Sequence, residues 1–347
     1  MKIVKRIYLV VLIIFLAGSA AIAQQDAQFS QYMFNGLYYN PGYAGLEGVT
    51  RFSLIHRTQW LAYQSTQYGG GAPNSQIISA STPLPFLDKR TGAGIYIFND
   101  KLGPLNNTEV QLSLSYHVKL GEGLLGIGAR GGIYSQRVRT DYYQVVDEDD
   151  QIYRELTNNP RIRQTRPDMA GGLWYKHKKY YAGLSFNHLS RSKFNYGSPQ
   201  INSKLENHFY FTAGYNFDFG PMLKLTPSAL VQSDMNQWTY LFGALGTYNE
   251  KFWVGFNLRQ SFAKRDVSQG GRTLSNDDII LYVGMNLLKN KQNMSPLRIG
   301  YAFDFVTSGV MAKKRTSHEI LLSYIIPTPW EAPKPKVRTP RYRHEEN

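Results

Sequence analysis

Alternation of apolar and polar residues over long segments is the feature that most limits how this chain can fold. In residues 109–119, every second residue from Val110 to Val118 is apolar or aromatic, and the residues between them are polar or charged. The same alternation recurs in 208–218, 251–259, 279–287 and 297–305. A period of two is that of a β-strand with two different faces. The pattern predicts an all-β protein.

The length of the alternating segments favours a membrane barrel over a soluble sandwich. Many run to about ten residues or more, which suits a tilted strand crossing a bilayer, whereas soluble strands average about 5–6 residues. Aromatic residues also stand near the ends of apolar faces, as interface girdles require; they include Tyr116, Trp238, Tyr248 and Tyr324. We therefore predict a transmembrane antiparallel up-and-down β-barrel located in the outer membrane.

About fourteen such strands are predicted, an even number as in bacterial barrels. Their centres lie near residues 52, 78, 95, 113, 128, 171, 183, 212, 227, 243, 255, 282, 301 and 321. Most connections alternate between short turns, such as 121–123, and long loops, such as 136–165. Short periplasmic turns and long external loops are typical of these barrels, so we expect both termini in the periplasm.

The N-terminus reads as a secretory signal peptide covering residues 1–23. Lys2, Lys5 and Arg6 precede an apolar run over 7–16, and a small-x-small site predicts cleavage between Ala23 and Gln24. No later segment has 18 uninterrupted apolar residues, so the sequence predicts no membrane-spanning helix.

Two further segments flank the predicted barrel of residues 49–326. Residues 24–48 contain six aromatic side chains, and we expect this segment to fold into or against the periplasmic mouth. Residues 327–347 form a tail rich in Pro, Lys and Arg, which is either a disordered end or a periplasmic docking peptide. In the docking reading, an apolar anchor and basic partners bind another protein; these are Trp330, Lys334, Lys336, Arg338, Arg341 and Arg343.

Several motifs suggest chemistry that their context argues against. The glycines of 126–131 match a dinucleotide fingerprint, but a strand follows them where that site needs a helix. Ser317 and His318 are consecutive on a strand, so they point to opposite faces and do not form a catalytic pair. We predict no enzymatic activity and no cofactor.

Metal sites and nucleic-acid binding are not predicted either. Cys is absent, the seven His residues lack spacings such as HxxxH, and the acidic run 147–150 lacks the pattern of an EF-hand. The formal net charge is +14, but the basic residues are scattered, which argues against nucleic acid as a partner.

Charged residues on the expected lumen face have mixed signs. They are Glu109, Lys119, Arg130, Asp218, Lys224, Arg259, Arg298, Asp304 and Glu319. We interpret them as internal salt-bridge networks in a narrow, filled barrel; the alternative is the polar lumen of a diffusion porin.

Motifs along most of the chain resemble the PorP/SprF family of type IX secretion membrane proteins of the Bacteroidetes. The first is Gln28-Phe29-Ser30-Gln31-Tyr32-Met33-Phe34-Asn35, followed by Asn40-Pro41-Gly42-Tyr43-Ala44-Gly45. Later matches are Arg166-Pro167-Asp168, Gly171-Gly172-Leu173-Trp174-Tyr175, Gly183-Leu184-Ser185, Pro227-Ser228-Ala229-Leu230, Gly300-Tyr301 and Ser317-His318-Glu319-Ile320. The residues taken as the family motif are Phe29, Ser30, Gln31, Tyr32, Asn35, Asn40, Pro41 and Tyr43.

The resemblance implies a non-enzymatic outer-membrane barrel that serves type IX secretion or gliding motility. Its expected partners are outer-membrane lipid, periplasmic secretion components and a surface adhesin. Two alternatives stay open: a dedicated anchor for the export and attachment of one large adhesin, and, in another class, a general diffusion porin.

Overall fold

The computed structural model describes residues 26–61, 71–85, 87, 90–139, 161–196, 203–263, 278–287, 297–307 and 316–326. The predicted signal peptide with Ala23 and Gln24, the acidic run 147–150 and the tail 327–347 with Trp330 lie outside the described residues. In the part of the chain that is described, no helix is long and apolar enough to cross a membrane.

Seventeen strands are present in the described ranges. Their bounds are β1 Thr50–Thr58, β2 Asn74–Pro83, β3 Thr91–Leu102, β4 Leu105–Leu120, β5 Gly123–Arg139, β6 Arg161–Lys176, β7 Tyr180–Asn187, β8 Lys193–Phe194, β9 Ser203–Lys204, β10 His208–Tyr215, β11 Phe217–Phe219, β12 Leu223–Ser233, β13 Gln237–Tyr248, β14 Phe252–Ala263, β15 Asp278–Leu287, β16 Leu297–Val306 and β17 Ser317–Ile326. Each of the fourteen predicted centres falls within a different long strand.

These strands form a closed antiparallel barrel, as predicted. Neighbours in sequence pair with one another from β1 to β7, and again from β12 to β17. Strand β10 pairs with both β7 and β12, while β11 continues the pairing with β12. The barrel closes where β1 pairs with β17, from Thr50 opposite Ile326 to Thr58 opposite His318. The short strands β8 and β9 pair only with each other.

The predicted faces are confirmed by burial. On β4, Leu112 is 54% exposed, whereas Ser113 beside it is fully buried. Leu, Val, Phe and Tyr side chains repeat this outward exposure around the wall. The exposed apolar band suits a lipid surface, and the alternate residues point into the barrel.

The two ends of the barrel differ in their connections. At the short-turn end, residues 121–122, 177–179 and 249–251 link neighbouring strands. At the long-loop end, residues 59–73 and 140–160 separate the strands. Strand β1 begins and β17 ends at the short-turn end. That this end faces the periplasm stays a prediction.

Residues 26–48, hereafter the plug, lie inside the barrel. Three short helical turns shape the segment, at Tyr32–Phe34, Gly36–Tyr39 and Pro41–Tyr43. Asp26 contacts His188 and His208 at the long-loop end, whereas Glu47 pairs with Arg51 at the short-turn end. The sequence predicted that this segment folds into or against the periplasmic mouth; in the structure it runs along the lumen from one end to the other. Burial of its aromatic side chains against the inner wall explains that course.

The wall rises higher on one side at the long-loop end. Strands β4, β5 and β6 have 16, 17 and 16 residues, whereas β7 and β10 have 8 each. The β8–β9 hairpin packs against this extension: Phe194 contacts Tyr134 at a ring distance of 5.8 Å. Tyr134 shares its strand face with Arg130, which binds the plug, so the hairpin covers part of the lumen.

Candidate functional site in the lumen

The predicted motif residues lie together in the plug. Phe29, Ser30, Gln31, Tyr32, Asn35, Asn40 and Pro41 are buried, and Tyr43 is half-buried. Hydrophobic side chains cannot explain this burial alone, since four of the eight residues are Ser, Gln or Asn. Their polar groups need partners from the wall.

An ion network at the first half of the plug supplies partners for Ser30 and Gln31. The backbone N–H groups of Ser30 and Gln31 donate to the Glu319 carboxylate at 2.7 and 2.8 Å. The Ser30 hydroxyl donates to Asp304 at 2.7 Å. Arg57 pairs with Asp304 at 2.6 Å and lies 3.5 Å from Glu319. The buried carboxylates of Asp304 and Glu319 therefore bind the plug through hydrogen bonds, and Arg57 neutralises part of their charge.

Arg259 completes this network. Its guanidinium lies 2.8 Å from Asp278 and 3.2 Å from Asp304. The predicted lumen salt bridges are thus present for Arg259, Asp304 and Glu319. Arg57 was not among the predicted lumen charges. It occupies an inward position of β1, and the period of two identifies that face.

The other predicted lumen charges have different surroundings. Arg130 donates to the carbonyl oxygens of Leu37 and Tyr38 at 3.1 and 3.0 Å, so it binds plug backbone instead of an acid. Arg298 donates to Asn286 at 2.9 Å and lies over the ring of Phe34. Glu109 accepts from the Tyr96 hydroxyl at 2.9 Å. Lys119 is exposed, and Lys224 and Asp218 form a largely exposed pair at 4.0 Å. The expectation of internal salt-bridge networks was therefore wrong for these residues. Arg130, Arg298 and Glu109 meet backbone, amide, aromatic or hydroxyl groups instead, and the other three charges are exposed.

The second half of the plug packs against glycines of the wall. A Cβ added at Gly126 would lie 2.1 Å from the Gly42 carbonyl oxygen, and one at Gly128 would lie 2.3 Å from the Pro41 carbonyl carbon. The run that resembles a nucleotide fingerprint therefore makes room for the Pro41–Gly42 backbone. Gly42 itself needs to be small, since its Cβ would lie 2.7 Å from the Gly126 oxygen.

Asn40 ties the same half of the plug to two strands. Its amide nitrogen donates to the carbonyl oxygens of Leu173 and Leu184, at 2.9 and 3.1 Å. Its amide oxygen accepts from the Gly42 N–H at 2.8 Å. One buried side chain thus satisfies wall groups and shapes the Pro41–Tyr43 turn.

Aromatic rings fill the space between these polar contacts. Phe29 meets Tyr38 edge-on at 5.4 Å between ring centroids, and Tyr38 lies 5.3 Å from Phe98 of the wall. Tyr39 meets Tyr210 at 5.3 Å. Such aromatic pairs stabilise the folded state by more than the burial of their surface area alone.

Asp26 forms a third set of contacts at the long-loop end. Its carboxylate oxygens lie 3.0 and 3.1 Å from Nε2 of His188, and the Tyr210 hydroxyl donates to one of them at 2.5 Å. Burial raises the pKa of Asp26, but its interactions with His188 and His208 and the hydrogen bond from Tyr210 together outweigh burial and hold that pKa well below its usual range. The spacing of the histidines gave no sign of this cluster, since its members lie far apart in the chain.

Some space remains between plug and wall. A polar cavity of about 300 Å³ lies beside Met33 and Phe34, with Lys224, Glu250 and Arg298 among its wall residues. These wall residues belong to the short-turn half of the barrel.

A family model for the type IX secretion system membrane protein PorP/SprF matches residues 21–324. The chain belongs to this family. The match runs from before the plug into the last barrel strand, so it includes the plug and the wall residues that contact it. No curated protein sequence matches the chain.

Solved structures similar to this PorP/SprF protein are barrels. The CymD monoaromatic hydrocarbon channel is 12% identical with a TM-score of 0.51, over 84% of this chain and 91% of that chain. The toluene transporter TbuX of Ralstonia pickettii is 12% identical with a TM-score of 0.49, over 84% and 92%. The outer membrane protein Omp33 of Acinetobacter baumannii is 7% identical with a TM-score of 0.42, over 80% and 98%. At such identities, the likeness to CymD supports the outer-membrane barrel fold alone.

Proposed function

We propose that this protein is a non-enzymatic scaffold of the type IX secretion and gliding machinery, docking periplasmic and surface partners. Family membership supports the assignment to this secretion system. The observation that carries the scaffold role is the plug, which runs through the lumen and is held there by buried charges. A barrel built to hold its own N-terminal segment in place suits mechanical support better than solute flow.

A general diffusion porin is the weaker reading. Its lumen needs a continuous aqueous path. Here Phe29, Tyr32, Tyr38 and Tyr39 are buried inside the barrel. The β8–β9 hairpin also covers part of the long-loop end.

The tall side of the wall supports docking at the long-loop end. Strands β4–β6 extend past their neighbours, and the hairpin packs against them through Phe194, Tyr196 and Leu205. A rigid edge of this kind suits attachment of a surface protein. It also keeps the alternative of a dedicated anchor for one adhesin within the proposal.

Conductance in planar bilayers tests the scaffold against the porin. We expect the intact protein to conduct poorly, and removal of residues 26–45 to raise conductance in whatever fraction still folds. A matched control, truncation after Ile326, leaves the plug untouched and keeps conductance low. Large, steady channels from the intact protein would contradict the scaffold.

Co-purification in mild detergent tests the partners. We propose that the tail 327–347 binds a periplasmic protein, with Trp330 as the apolar anchor and its Lys and Arg residues as charge partners. Truncation after Ile326 then preserves the barrel but weakens the complex, and Trp330→Ala reproduces part of the loss. Equal recovery of envelope proteins by full-length and truncated barrels would remove the tail from the proposal.

A deletion strain separates a machine component from an anchor. Loss of all type IX export indicates a component that every substrate needs. Loss of a single surface protein indicates the dedicated anchor.

A further inference from the structure

At the long-loop end, two carboxylates shielded from solvent lack a nearby arginine or lysine among the described residues. Asp26 and Asp168 are the pair, and both bind His188, through Nε2 at 3.0 Å and Nδ1 at 2.8 Å. Among the described residues, neither carboxylate has a Lys or Arg nitrogen within 4.0 Å. Asp304 and Glu319, at similar burial, share Arg57.

Buried charge of one sign is costly unless a counter-charge lies close by. One proton on His188 supplies a single positive charge against the two carboxylates. A divalent cation with neutral imidazoles balances both. The charge deficit therefore matches an ion of charge +2.

The ligands for such an ion are already assembled. Asp26, His188 and His208 each offer one ligand atom, and these atoms lie within 4.8 Å of one another. Both histidines are buried. Bonds of about 2.0–2.1 Å from a metal to nitrogen or oxygen need ligand atoms somewhat closer together, so binding draws the three side chains inward.

The surroundings of the histidines also fit metal ligation. Nδ1 of His188 donates to Asp168, which leaves Nε2 facing Asp26. Nδ1 of His208 donates to the carbonyl oxygen of Glu206 at 3.0 Å, and its Nε2 accepts from the Asp26 N–H at 3.2 Å. Metal-bound histidines are commonly held through their other nitrogen by a carboxylate or a carbonyl oxygen. His208 gives up one of its two hydrogen bonds when it ligates the ion.

We propose that Asp26, His188 and His208 bind a divalent transition-metal ion, with zinc favoured by this set of ligands. Two imidazoles and one carboxylate suit Zn²⁺ and related ions and do not suit Mg²⁺ or Ca²⁺, which prefer oxygen ligands. Asp26 belongs to the plug, His188 to the loop after β7 and His208 to β10. The ion thus fastens the first part of the plug to the wall, independently of any partner proposed above.

Zinc binding by the full-length protein tests the site. The protein is purified in detergent with an affinity tag that contains no histidine, stripped with EDTA, incubated with ZnCl₂ and desalted to remove unbound metal. We expect one Zn²⁺ per folded chain by elemental analysis, a rise in the heat-modifiability temperature with ZnCl₂ but not with MgCl₂, and a Co²⁺ absorption band that Zn²⁺ abolishes.

Matched variants separate this site from the other histidines. The double variant His188→Ala/His208→Ala is expected to lose zinc affinity by about 100-fold or more, and Asp168→Asn by about 10–100-fold because it only orients His188. The control is His177→Ala/His318→Ala, which removes two histidines outside the cluster and keeps full binding.

Folding of each variant is checked by heat-modifiability on gels, and Asp26→Ala replaces the double variant if that protein does not fold. Absence of stoichiometric Zn²⁺ on the folded wild-type protein overturns the proposal. Equal binding by the wild type and the folded cluster variant overturns it as well.

Discussion

The two halves of the plug are held in the lumen by different interactions. Residues 26–35 bind the wall through charged groups: Asp304 and Glu319 accept from Ser30 and Gln31. Residues 36–48 bind mainly through close packing, with Pro41 and Gly42 against wall glycines. Both halves belong to one short segment, yet the wall provides them with quite different surfaces.

Because of this difference, the two halves of the plug are sensitive to different kinds of substitution. In the charged half the groups balance one another, so removal of a single partner leaves the others buried and unpaired. In the packed half the backbones are in contact, so added volume is the damaging change. Loss of a charged group is therefore the more damaging change in the first half of the plug, and added volume is the more damaging change in the second half.

The largest effect is expected at Arg57. In Arg57→Ala, Asp304 keeps only its ion pair with Arg259. Glu319 loses the contact that it makes with Arg57 at 3.5 Å. Breaking a buried pair in this way costs about 3–5 kcal/mol. Urea unfolding in detergent or lipid vesicles measures the free energy of unfolding.

Two comparisons decide whether charge is responsible. Arg191→Ala is the control, since Arg191 is half exposed and pairs with Glu206 at the surface; its loss is expected to cost under about 1 kcal/mol. Adding Glu319→Gln to Arg57→Ala is expected to recover part of the loss. If the double variant is no more stable than Arg57→Ala, packing and not charge holds this half.

A smaller effect is expected for added volume at Gly128. Gly128→Ala places a Cβ within 2.3 Å of the Pro41 carbonyl carbon, so plug or strand must shift. Overpacking of this kind costs about 1–3 kcal/mol. The same unfolding measurement reports it, and conductance shows whether the plug is displaced.

Gly131→Ala is the matched control for this change. Gly131 lies on the same strand, and an added Cβ there meets no heavy atom within 4 Å. We expect a change near zero. Equal losses at Gly128 and Gly131 would mean that the cost arises in the strand itself and not from contact with the plug.

The smallest effect is expected at the Glu47–Arg51 pair, where the plug enters β1. Burial raises the pKa of Glu47, but the charge of Arg51 at 2.7 Å and the hydrogen bonds from Tyr43 and Arg51 together outweigh it, so the pKa lies below its usual value of 4.5. The carboxylate therefore stabilises the fold fully above about pH 4.5, and this contribution disappears as the pH falls through the lowered pKa. We expect Glu47→Gln to cost under about 1 kcal/mol at neutral pH.

Unfolding at neutral and acidic pH checks the sign. The difference between wild type and Glu47→Gln is expected to shrink as the pH falls below 4.5. Glu122→Gln serves as the control, since Glu122 is 85% exposed in the turn after β4. A difference for Glu47→Gln that grows in acid would contradict the lowered pKa.

The local pattern of the sequence determined the wall of this protein. Period-two alternation identified all fourteen barrel strands, and it separated the outward face at Leu112 from the lumen face at Ser113. A strand's side chains alternate whatever its partners are, so this information lies within each segment. The motif residues between Phe29 and Tyr43 were identified by resemblance to the PorP/SprF family, because they stand close together in the sequence.

The tertiary structure alone decided what those residues contact. Ser30 and Asp304 are 274 positions apart, and Asp26 and His208 are 182 apart. No spacing rule links them, because barrel closure and the path of an irregular segment through the lumen bring them together. The same holds for the glycines of 126–131, whose role depends on the backbone opposite them. Local periodicity therefore predicted the barrel, while the course of the plug and the clusters around Arg57 and His188 arose from non-local packing.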